Sequence, residues 1–284
     1  MRKTVFHILL FCFRDATAFA KKFNLRGEMV RVNKYLMACV LTLHATYTLA
    51  EPSFPRGDWG PAQRAMLEKK TLLTKGDMAA IPAPPGIETD EGQHELMRVM
   101  RIQLDPANGV RRPNARDALE MEVGDLLRKR RVLPDPNIAP TLWSMVSAVD
   151  HDVSITVLKE AKRHDRVAPH AVSDDIAEMS GHVVAPAFPS LRFARIRAAM
   201  GLLEVLNDQC ADDYAHILAD TAVDMEFSGQ HRASDIRAAE LVSAWTLSFV
   251  EASEQIRDEK IRAETELAVH LRLEGCPLDP KSKP

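Results

Sequence analysis

The sequence predicts an all-α protein, and three observations carry that expectation: apolar residues recur at helical spacing, sustained period-two alternation is scarce, and proline and glycine clusters cut the pattern into discrete runs. Met97, Met100 and Arg101 begin the first run. Leu142, Met145, Val146 and Val149 mark the second, and the pattern continues through Val153 to Leu158. Ala199, Met200, Leu203 and Leu206 form a third stripe; Tyr214, Ile217, Leu218 and Thr221 a fourth; Ala238, Leu241, Val242, Trp245 and Phe249 a fifth. The charged segment 251–274 is expected to be helical and to stop at Gly275-Cys276-Pro277. Residues 51–62 and 81–86 read as extended arms, and 132–140 and 168–189 as proline-containing loops. Together these elements predict a single-domain helical bundle over residues 51–284, with the methionines and leucines of the stripes in its core.

Composition bounds the function. The 284 residues carry 37 basic and 40 acidic side chains, a net charge of −3, with 46% hydrophobic and 6% aromatic residues. That suffices for a sizeable core, and without a basic excess interleaved with aromatics no nucleic-acid partner is expected. The run Arg128-Lys129-Arg130-Arg131 is the local exception. It follows the pattern from Leu119 to Leu127 and precedes Pro134, where cations suit a helix C-terminus.

The N-terminal region reads as a targeting segment. From Met29 a basic head leads into an apolar run from Tyr35 to Leu49 and a small residue at Ala50, the layout of a secretory signal peptide and too short for a comfortable membrane span. Residues 29–50 are therefore expected to be removed, and residues 1–28 to precede the true start at Met29. Leu36-Met37-Ala38-Cys39 resembles a lipoprotein cleavage box, but almost no apolar run precedes it, so no lipid anchor is expected. Export to the periplasm leaves Cys210 and Cys276 in the mature chain, where they can pair; the spacing alone does not decide it. No CxxC or Cys/His cluster suggests a metal, and nothing calls for a cofactor. Monomer and homo-oligomer both remain open.

The candidate chemistry centres on Phe227-Ser228-Gly229-Gln230-His231-Arg232-Ala233-Ser234-Asp235. A histidine four residues before an aspartate at the start of a helical pattern places both on one helix face, where the carboxylate can orient the imidazole as a nucleophile, or where the two form an ordinary surface contact.

Three blocks in order give this pair a context. Ala161-Lys162-Arg163-His164-Asp165-Arg166-Val167-Ala168-Pro169, then Ala187-Phe188-Pro189-Ser190-Leu191-Arg192, then the stretch 228–235 resemble the three signature blocks of the class A bacterial nonspecific acid phosphatases, within the wider superfamily of type 2 phosphatidic acid phosphatases and vanadium haloperoxidases. The resemblance covers residues 77–250 and includes the proline-rich Pro82-Ala83-Pro84-Pro85 ahead of the core helices. It implies that His231 attacks phosphorus to form a phosphohistidine, that Asp235 orients it, and that Lys162, Arg166, Ser190 and Arg192 bind the phosphate. Lys159 is an alternative to Lys162, paired with Arg166 in an ungapped register.

The departures are as informative. The Ser-Arg expected before the third block is Asp224-Met225; glycine and the acid histidine of the second block are Leu191 and Arg192; Ala168 replaces an arginine in the gapped register of the first. Arginine cannot serve as a general acid near neutral pH, though it binds anions. Met179-Ser180-Gly181-His182 is similar to a displaced acid motif, but Pro186 and Pro189 follow it closely, and His182 reads as a loop residue. Each missing preorganised donor typically removes about 3–4 kcal/mol of transition-state stabilisation. The resemblance thus implies a phosphatase-fold protein with weak or lost hydrolysis that binds a phosphate ester, another small anion or a partner; a phosphatase with a rearranged cradle built from Arg166, Arg192 and Arg195 and an unrelated helical interaction protein are the alternatives. A haloperoxidase role is not expected, since vanadate needs the same cradle.

Overall fold

Helices supply all the regular structure of the computed structural model, which describes residues 53–55, 58–179 and 185–278. The segments expected to be non-native start and signal peptide, together with His182, lie outside the described residues. We number the helices α1 (Pro61–Leu67), α2 (Asp90–Leu104), α3 (Arg112–Glu120), α4 (Val123–Lys129), α5 (Pro140–His164), α6 (Pro169–Val172), α7 (Leu191–Leu206), α8 (Ala211–Phe227), α9 (Ala233–Ala252) and α10 (Arg257–Glu274). Short 3-10 turns at Pro106–Arg111 and Asp208–Cys210 link α2 to α3 and α7 to α8. Among the described residues no strand occurs; Ser53 and Arg166 form an isolated antiparallel bridge.

Local chemistry sets the helix starts. Proline occupies the first turn of α1, α5 and α6, where its missing N–H costs nothing. Thr89 and Ser190 cap α2 and α7 through side-chain oxygens that accept the Gly92 and Phe193 N–H groups. Arg128 and Lys129 stand in the last turn of α4, as the basic run predicts, and pair with Asp125, Asp135 and Asp117.

The core forms where α7 packs on both α9 and α5. From Asp152 to Leu158 every residue of α5 is buried, so this helix runs through the interior. The α7–α9 crossing depends on small groups. A Cβ on Gly201 would lie 2.4 Å from Leu247 Cδ1, so a side chain there would push the Leu247 methyl aside. Ser243 Oγ shares its proton between the Ala194 carbonyl across this contact, at 3.0 Å, and the Ala239 carbonyl of its own helix, at 2.8 Å.

Several expectations need correction. Leu241 is 52% exposed and Trp245 and Phe249 are half-buried, because α9 turns Ala239, Val242, Ser243, Thr246 and Leu247 toward α7, one position away from the large apolar stripe. Met97 is likewise exposed, while Leu96 and Val99 face inward. The charged segment 251–274 is not one helix: α9 ends at Ala252 and α10 starts at Arg257. The first arm ends early, since Pro61 starts α1, and the loop 168–189 contains the four-residue α6.

Cys210 and Cys276 are bonded, with Cα atoms 5.5 Å apart and a sequence separation of 66. The bond ties the turn before α8 to the end of α10, which stops at Gly275. On α5, Asp152 is fully buried and accepts N–H bonds from Leu72, Leu73 and Thr74, each at 2.7 Å, latching the segment after α1 onto the core. No helix of the described residues is long and apolar enough to cross a membrane.

Candidate functional site

The loop after α5, the turn into α7 and the link between α8 and α9 meet at one place. Backbone bonds join them: Ala187 N–H donates to the Arg166 carbonyl (2.8 Å), Ser190 N–H to the Asp235 carbonyl (3.1 Å) and His170 N–H to the Gly229 carbonyl (3.1 Å). The link from α8 must turn sharply. Gly229 has φ +75°, and a Cβ there would lie 2.3 Å from the Ala177 carbonyl, so glycine alone allows the turn that brings His231 inward.

His231 is 7% exposed, and its two ring nitrogens have different partners. Nδ1 lies 3.2 Å from the Ala187 carbonyl, which can only accept, so Nδ1 carries the proton. Burial pushes the imidazole down to about 4, against the pull of the Ala187 carbonyl and with a further push from His170. A neutral ring protonated at Nδ1 leaves the Nε2 lone pair free to accept, and it faces Ser190 Oγ at 3.2 Å. Ser190 is fully buried; its hydroxyl donates to His231 and accepts the Phe193 N–H at 3.2 Å.

Asp235 does not orient His231, which corrects the expectation from spacing. Arg232 is the N-cap of α9 with extended backbone (φ −107°, ψ 165°), so His231 precedes the helix and the one-face geometry of residues four apart does not apply. The Asp235 carboxylate instead accepts the Arg232 N–H at 2.7 Å and an Arg166 N–H at 2.9 Å. Its burial is complete and pushes its pKa up to about 6, opposed chiefly by Arg166. The role of holding the imidazole falls to the Ala187 carbonyl.

Arg166 lies in this site and is committed there. Its guanidinium, 2% exposed, donates to Ser234 Oγ (2.7 Å), Asp235 (2.9 Å) and the Pro85 carbonyl (2.9 Å), with Glu95 at 3.5 Å. Lys162 stays outside. Leu158 and Ala161 turn the inner face of α5 to the core, which leaves Lys159 and Lys162 exposed. Lys159 lines a separate water-sized cavity of about 20 Å³ with Thr74 and Glu160. Arg192 also points elsewhere: its Nε donates to the Ala118 carbonyl on α3 at 2.6 Å, and burial, with Arg195 nearby, lowers its pKa to about 10. Arg195 is taken by Asp150 at 2.7 and 2.9 Å, so these two arginines rebuild no pocket at His231.

Where the resemblance places Ser-Arg, the buried Asp224 carboxylate pairs with Arg111 at 3.1 Å and Arg130 at 3.8 Å. A position expected to hold a phosphate thus anchors α8 to the elements before it. Among the described residues no group of His, Cys, Asp and Glu side chains could hold a metal ion.

Three further residues belong to the site. His170 donates from Nδ1 to the Gly229 carbonyl at 2.9 Å and places Nε2 3.6 Å from Glu178; its neighbourhood with Pro169 was the available signal. Arg232 is wholly buried beside Asp235, and its signal was adjacency to His231. Glu95, on α2, carries no motif at all. Its carboxylate accepts the Ser234 N–H and hydroxyl, each at 2.7 Å, and it borders an open cavity of about 410 Å³ lined by Glu91, His94, Glu95, Arg98, Ala233 and Arg237. The chain matches no protein-family model, and no curated protein sequence matches it.

Proposed function

We propose that this chain is an exported protein of acid-phosphatase-like fold in which phosphomonoester hydrolysis through a phosphohistidine is weak or lost, leaving a role in binding a phosphate ester, another small anion or a partner. The observation that carries the reading is the convergence of three sequence-distant blocks, 165–170, 187–190 and 228–235, on a neutral histidine whose Nε2 faces Ser190. An imidazole that keeps this lone pair down to about pH 4 is in the form that attacks phosphorus in mildly acidic solution. The periplasmic address rests on the signal-like segment 29–50.

The same geometry argues against turnover. In-line displacement needs cations and N–H donors on the three equatorial oxygens, and a proton for the leaving oxygen. Lys162 and Arg192 lie away from His231, and Arg166 already faces two carboxylates. Ser190 occupies Nε2, and the site is buried. The test is hydrolysis of a chromogenic phosphomonoester by the purified chain beside a His231→Ala control. Equal background rates are expected; turnover that the substitution abolishes overturns the proposal in favour of a working phosphatase.

A further inference from the structure

The Glu95 carboxylate sits in surroundings suited to a bound oxyanion. It is 6% exposed, and besides the Ser234 N–H and hydroxyl it has Arg237 at 3.3 Å and Arg166 at 3.5 Å. One buried guanidinium, Arg166, therefore meets two buried carboxylates. Asp235 already neutralises it from the interior at 2.9 Å. Glu95 adds a second negative charge, which Arg237, itself 59% exposed, balances from the surface. A buried carboxylate is costly to desolvate, and here its donors are one N–H, one hydroxyl and two guanidinium groups, a set that a tetrahedral oxyanion also accepts. On the outer side of Glu95 lies the cavity of about 410 Å³, bordered by Arg98 and Arg237 as well. Arg166 does not line that cavity; the Glu95 carboxylate stands between them.

We propose that Glu95 is an internal occupant of an oxyanion site formed by Arg166, Ser234 and Arg237, and that it keeps phosphate or a phosphate monoester out of that site. The proposal rests on the reading of this region as a phosphate-binding one, but it concerns binding beside α9 rather than attack by His231. It is an autoinhibitory contact: α2 supplies the anion, and binding from the cavity requires that α2 give it up.

The experiment measures inorganic phosphate binding to the full chain by calorimetry, and its thermal midpoint in phosphate against sodium chloride at equal ionic strength. Glu95→Ala is expected to bind phosphate about ten-fold or more tighter than the wild type, the scale of one charge-assisted hydrogen bond regained, and to gain a saturable rise in midpoint. Adding Arg237→Ala to it should remove most of that gain. Glu95→Gln, which removes the charge and keeps the shape, should show a smaller rise in the same direction, and it decides the matter if Glu95→Ala does not fold. Folded variants with no phosphate-specific rise, or a wild type that binds as tightly as Glu95→Ala, overturn the proposal. Neither readout involves His231, so turnover in the wild type would remove the proposed loss of hydrolysis without touching this result.

Discussion

His231 and Asp235 should make opposite contributions to stability over nearly the same pH range, and replacing either one exposes the other. His231 falls from 6.5 to about 4 on folding, so the unfolded chain takes up its proton first as the pH drops. Its contribution is complete above pH 6.5 and is lost as the pH falls toward 4. Asp235 rises from 3.8 to about 6, so the folded chain takes up this proton first. Its contribution is complete below pH 3.8 and is lost as the pH rises through 6. At 1.36 kcal/mol per pH unit each effect amounts to about 3 kcal/mol, and both groups are fully buried, so solvent screening removes little of it. In the wild type the two nearly cancel. Urea unfolding followed by circular dichroism from pH 4 to 7 should therefore show the difference between wild type and His231→Gln shifting by about 3 kcal/mol in favour of the variant as the pH falls. For Asp235→Asn the difference should move by a similar amount in the other direction. A His231→Gln difference that stays flat within about 0.5 kcal/mol would refute the claim that the folded protein holds this imidazole neutral.

Three other variants test the frame. Replacing both Cys210 and Cys276 with serine releases a loop of 66 residues, which costs about 4 kcal/mol in the chain-entropy model. Scanning calorimetry should show a midpoint lower by about 8–16 °C, and an unchanged midpoint would mean the bond adds no constraint. Asp152→Ala strips three N–H groups of their charged acceptor, that of Thr74 buried and those of Leu72 and Leu73 partly so, and should cost about 3 kcal/mol. Trypsin should then cut faster at Lys69, Lys70 or Lys75, and unchanged cleavage would show that Asp152 is not the latch. The Tyr214 hydroxyl is buried and makes no hydrogen bond among the described residues, and burial raises its pKa to about 12. Tyr214→Phe should leave urea stability equal or raise it by about 1 kcal/mol, whereas a loss of that size would reveal a partner for the hydroxyl.

The legible parts of the fold are those written in local chemistry. Leu142, Met145, Val146 and Val149 identify α5 because a 3.6-residue period needs no knowledge of what the helix packs on. Pro140, Ser190 and Gly275 mark helix ends by φ or capping preferences of single residues. On α9 hydrophobicity alone favours Leu241 and Trp245, whereas the helix turns Val242, Ser243, Thr246 and Leu247 inward, with Ser243 bonded to the Ala194 carbonyl of α7 and Leu247 set against Gly201. No local signal reports how near two helices come.

By itself, then, the sequence determined the all-α class and most helix positions. Tertiary structure alone decided where the charges went. It turned Asp235 from His231 to Arg166, set Arg192 on the Ala118 carbonyl, left Lys162 in solvent and brought Glu95 across 139 residues to Ser234. The physical reason is range. Helix formation and capping are settled within a few residues, whereas a buried charge must find its partner among whatever side chains the packing of distant helices delivers.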